Sequence, residues 1–100
     1  MQAEQRLAEV LMKKLRQYVS TASIHDEVIW FLKSEVDERL IPVDIISHLA
    51  DPIIADSASY TDELGNFYLL ITIETGDPES YEVWLVNDVV VTDFVSVFDN

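Results

Sequence analysis

The segment NFYLLITIETGDPESYEVWLVNDVVVTDFVSVF, residues 66–98, decides the fold class, because its apolar residues recur with a period of two. Phe67, Leu69, Ile71 and Ile73 alternate with Tyr68, Leu70, Thr72 and Glu74, which predicts a strand from Asn66 to Thr75. Gly76-Asp77-Pro78-Glu79 reads as a turn, Tyr81 to Val86 as a second strand, and Val89 to Phe98 as a third. Between the last two, Asn87-Asp88 suits a two-residue hairpin. Opposite positions then sum to about 175, pairing Leu85 with Val90 and Trp84 with Val91. The expectation is an antiparallel meander, with a fourth strand around Ala55 to Thr61 less clearly marked because serines interrupt it.

Upstream the period turns helical. Ala3, Leu7, Val10, Leu11, Leu15 and Tyr18 share one side of residues 2–19, opposite Arg6, Glu9, Lys13, Arg16 and Gln17, so the chain opens with an amphipathic helix. Ser23 followed by Asp26 and Glu27 has the character of a helix start. A second helix is therefore expected from Ile24 to Leu40, with Val28, Ile29, Leu32, Val36 and Leu40 on its apolar face and Trp30 on its polar arc. Val43 to Ala50 predicts a short third helix ending before Pro52. The whole is a single α+β domain over residues 1–100: two N-terminal helices plus a short third, packed on one face of a three- or four-stranded antiparallel meander. In the predicted register, and in one slipped by a residue, neither face of the hairpin is cleanly polar, so the face without helices must be curled over, covered by residues 53–65 or closed by another chain.

Composition limits what such a domain does. Nineteen acids against six bases give a net charge of −13, and no cysteine is present. Residues 1–20 are net basic through Arg6, Lys13, Lys14 and Arg16, while residues 21–100 carry 17 of the acids against only Lys33 and Arg39. A polyanionic body repels phosphate backbones and anionic headgroups, which argues against nucleic-acid and membrane binding and for a basic protein partner. Lys13, Lys14 and Arg16 break up any run fit for a signal peptide, no stretch reaches membrane-span length, and the absence of cysteine suits a cytoplasmic protein.

Catalytic and cofactor chemistry has little to stand on. His25 and His48 are too isolated to form a zinc site, even with Asp44 four residues before His48, so no metal is expected. Ser57 and Ser59 lack a nucleophile-elbow setting and read as loop. Two glycines, Gly65 and Gly76, provide no phosphate-cradling loop, and no cofactor is expected. Glu82 and Asp93 face each other across the predicted hairpin, a like-charge pair that either needs a cation, a proton or a basic partner or signals a different register.

This combination resembles the general character of small inhibitory or immunity proteins, a likeness of composition that implies occupation of a basic site on another protein. The leading expectation is a noncatalytic acidic interaction module, an inhibitor, immunity or adaptor protein. Its partner-binding residues are Trp30 with the acids Asp26, Glu27 and Asp37, together with the sheet residues Trp84, Val90 and Phe94. The competing reading of Trp30 is burial beneath a loop or the third helix, and Trp84 and Phe94 are core in one register and exposed in another. Two alternatives stand beside the module: a small ligand-binding or enzymatic domain with an apolar pocket between sheet and helices, and a structural homo-oligomer, with a homodimer through the sheet near Val90 and Phe94.

Overall fold

The opening helix forms where its apolar stripe begins and stops where the backbone turns left-handed. In the computed structural model, which describes residues 2–37, 41–76 and 79–91, α1 spans Gln2–Leu15. Arg16 has φ 54° and its N–H donates to the Met12 carbonyl at 3.0 Å, a left-handed C-terminal cap without the glycine that usually fills it. The helix is thus shorter than the residues 2–19 expected, and Tyr18, placed on its apolar side by periodicity, is instead 81% exposed.

Ser20 caps a 3-10 turn over Thr21–Ser23, its hydroxyl oxygen accepting the Ala22 N–H at 3.2 Å. The chain then enters a strand, β1 (His25–Phe31), where a helix was expected. The reason lies in the residues. Ile24, Val28, Ile29, Trp30 and Phe31 are β-branched or aromatic, and such side chains lose rotamer freedom in a helix but fit a pleated surface. A short apolar run matches both periods, and here sheet pairing decided between them. A second 3-10 turn, Lys33–Glu35, and a one-turn helix α2 (Val43–Ile46) follow, the latter half the length expected for residues 43–50.

β2 (Ile53–Thr61), β3 (Phe67–Gly76), β4 (Glu79–Val86) and the two-residue β5 (Val89–Val90) complete one antiparallel sheet in the order β1-β2-β3-β4-β5. The class is α+β, with two α-helices and five strands among the described residues. Asn87 and Asp88 both have positive φ, 51° and 67°, the conformation a two-residue hairpin demands. Leu85 pairs with Val90, and the Val91 N–H donates to the Trp84 carbonyl at 2.8 Å, as the hairpin arithmetic predicts. Residues beyond Val91, including Asp93 and Phe94, lie outside the described residues. Ser57 and Ser59 are strand rather than loop: both lie in β2, and buried Ser57 donates its hydroxyl to the Glu27 carbonyl on β1 at 3.2 Å.

Each face of the sheet has its own core. Ala58, Leu70 and Trp84 are mutual neighbours across β2, β3 and β4, and they pack under Leu7, Ala8, Val10 and Leu11 of α1. Small Ala58, fully buried, lets the helix sit close. The opposite parity, Ala55, Ile73 and Val83, packs with Ile53 against Ile41 and the half-buried Val36, Ile45, Ile46 and Leu49. Helical cover on a single face was expected. Instead α1 lies on one side, and Val36, Ile41 and α2 with Leu49 cover the other. Of residues 53–65, one of the covers considered above, Ile53–Thr61 is strand β2 of the sheet itself and the rest is the turn that follows it.

Candidate partner interface

Alternation along β1 sends Asp26, Val28 and Trp30 to the α1 side of the sheet and His25, Glu27, Ile29 and Phe31 to the other. Pairing continues the first row onto β2, with Trp30 opposite Ile54, Val28 opposite Asp56 and Asp26 opposite Ala58. α1 covers Ala58 but not the positions beyond it. Trp30 is 68% exposed, Ile54 67% and Val28 63%, so three large apolar side chains form one contiguous patch. Asp56 and Glu74 line a groove with Ile54, and Asp26 and Glu27 stand at the far end of β1.

Several carboxylates are already engaged. His25 Nε2 lies 3.9 Å from Glu27 Oε2, both exposed, a contact made possible because residues two apart in a strand share a side. Glu82 accepts from Arg6 Nε at 3.1 Å and from Arg6 Nη2 at 3.5 Å, and the Trp84 indole N–H donates to its Oε1 at 3.3 Å. Glu82 thus has a cationic partner within the chain, while the expected Glu82–Asp93 pairing falls outside the described residues. Arg6, on the polar side of the helix by periodicity, ties α1 to β4.

Asp62 organises the β2–β3 hairpin. Its Oδ1 accepts the Leu64 and Asn66 N–H groups at 2.9 Å each, and Oδ2 accepts the Asn66 side-chain amide at 3.2 Å and the Tyr68 hydroxyl at 3.1 Å. Desolvation opposes ionisation there, but the bonds from Asn66, Tyr68 and Leu64 outweigh it and hold the carboxyl below its ordinary value. The Tyr68 hydroxyl is pushed up, by burial first and then by the hydrogen bond to Asp62. This cluster is a structural turn.

The expected binding residues part company in the structure. Trp30, Asp26 and Glu27 share β1. Asp37 is exposed beyond the second 3-10 turn, its carbonyl accepting the Ile41 N–H at 3.3 Å. Trp84 is 5% exposed beneath α1, which makes it core rather than surface. Val90 is half-buried on the short edge β5. Val28, Ile54, Asp56 and Glu74 were not singled out from sequence, although the alternation of Ile54, Asp56 and Ala58 along β2 carried the signal.

On the sheet's other side a cavity of about 170 Å³ opens between Ile29, Phe31, Val36, Ile41, Ile71, Ile73, Val83 and Glu35. Glu35 Oε1 accepts the Leu32 N–H at 2.8 Å. Among the described residues no group of three or more His, Asp or Glu could hold a metal ion, and no helix is long and apolar enough to cross a membrane. Comparisons against protein-family models, curated proteins and solved structures return no match.

Proposed function

We propose that this chain is a noncatalytic interaction module that occupies a basic surface of a partner protein. The observation that carries the reading is the exposed Trp30–Ile54 pair, extended by Val28, on a chain of net charge −13. Tryptophan offers a partner a large rigid surface at small entropic cost, and the surrounding acids steer a cationic surface toward it. In this reading Trp30, Val28 and Ile54 form the dehydrated centre and Asp26, Asp56 and Glu74 the polar rim on the same face, while Glu27 and Asp37 add only long-range charge. Affinity capture from native lysate tests it, with wild type and Trp30→Ala as baits at low and high salt. A protein held by wild type at low salt, released by salt and lost with Trp30→Ala supports the reading; capture indifferent to both changes refutes it.

The apolar cavity favours a second reading, binding of a small apolar ligand. Its volume of about 170 Å³ lies below the roughly 300–1,000 Å³ usual for ligand pockets, and the one carboxylate on its wall is bonded to Leu32. Only a compact hydrocarbon suits it. A rise in melting temperature with such a probe, abolished by Ile71→Trp, distinguishes this reading from the first.

A further inference from the structure

We infer that the partner contributes an extended basic segment that joins the sheet beside β1 as a sixth, antiparallel strand. The inference rests on the interaction-module reading and adds the form of the partner to it. β1 stands first in the strand order and pairs only with β2 among the described residues, so every second residue turns its N–H and C=O outward. Edge strands are commonly blocked by proline, lysine or a bulge. His25–Phe31 contains no proline or lysine, and its register with β2 runs without a shift from His25↔Ser59 to Phe31↔Ile53. The only charges on this strand outside histidine are the carboxylates of Asp26 and Glu27.

Those two acids choose the occupant. A second copy, also at −13, brings its own Asp26 and Glu27 and a repelling body to the same edge. A cationic strand is attracted by both. The order along β1 then fixes the pattern it reads: positions opposite Trp30, Ile29 and Val28 call for apolar residues, and those opposite Glu27 and Asp26 for lysine or arginine. Read from its N-terminus, an antiparallel segment is three apolar residues followed by two basic ones. The wholly antiparallel sheet favours that direction.

A capped peptide with Val-Ile-Val-Lys-Arg at its centre is the probe, followed by fluorescence anisotropy and by amide hydrogen exchange of the intact chain. Two further versions carry backbone N-methyl groups on alternate residues, one set in each peptide. The unmethylated peptide is expected to bind and to slow exchange at β1. One methylated version binds at least tenfold more weakly, because its blocked amides face β1, while the other binds within about threefold of the parent. Equal binding by all three peptides, slowed exchange elsewhere than β1, or self-association through β1 in place of peptide binding overturns the inference. If the lysate partner still depends on Trp30 and on salt while the peptide fails, strand addition is wrong and the interaction-module reading stands.

Discussion

Replacing Trp30 by alanine separates an anchor from a core residue by the two free energies it changes. An aromatic side chain presents about 150–250 Å². With Trp30 68% exposed, roughly 130 Å² remains for a partner to bury, and about 65 Å² is already covered in the free chain. At about 25 cal/mol per Å², the first area corresponds to about 3 kcal/mol of binding and the second to at most about 1.5 kcal/mol of folding stability. Ordering losses on association lower the binding figure, so Trp30→Ala is expected to cost about 2 kcal/mol, a Kd increase of about 30-fold carried mainly by faster dissociation. Neutralising Asp26 or Glu27 acts on the other rate and slows association at low salt. Trp84→Ala is the contrast, because a tryptophan 5% exposed costs about 3–5 kcal/mol of stability when truncated. Chemical denaturation gives the stabilities, and binding kinetics on the partner captured by wild type give the rates. A stability loss above about 3 kcal/mol for Trp30→Ala, or an unchanged dissociation rate, refutes the assignment.

Further outcomes follow from the charge and from two local geometries. With a net charge of −13, added salt is expected to raise the melting temperature at neutral pH by screening self-repulsion; a flat thermal series between low and moderate salt contradicts this. Arg16→Gly relieves the φ of 54° at the end of α1 and is expected to stabilise the fold by about 1 kcal/mol, a melting shift of about 4–8 °C. A neutral or lower melting point shows that the arginine side chain matters more than its backbone. Because the Asp62 pKa is lowered on folding, its contribution is present above its ordinary value of 3.8 and disappears as pH falls through the lowered one. The stability gap between wild type and Asp62→Asn should therefore narrow below about pH 4, and a gap that stays constant in acid denaturation series argues against the ionised hairpin acceptor. Tyr68 has the opposite sense: its raised pKa stabilises the fold below 10.0 and that support declines at higher pH, a loss that Tyr68→Phe should remove.

Local signals carried much of this fold. The alternation of residues 67–74, the Asn87-Asp88 turn and the Leu85–Val90 pairing follow from short-range geometry, and each was readable without the structure. The α1 stripe was readable for the same reason. Residues 24–31 were not, because Val28, Ile29 and Leu32 satisfy a helical period as well as a strand, and the pairing that settles it comes from β2, some thirty positions away in sequence. Trp30 on the polar arc of an otherwise apolar wheel was the sign of conflict. As a strand residue it is still exposed, so the candidate site kept its central side chain while its scaffold changed from helix to sheet edge. The Arg6–Glu82 pair joins residues 76 apart and left no trace in either neighbourhood.

Amide hydrogen exchange on the chain bound to its captured partner tests the central claim most directly. Slowed exchange over His25–Phe31 and around Ile54, with the cavity wall at Ile71 and Val83 unchanged, is the predicted footprint. A footprint confined to the cavity wall or to β5, with β1 exchanging as in the free chain, would contradict it.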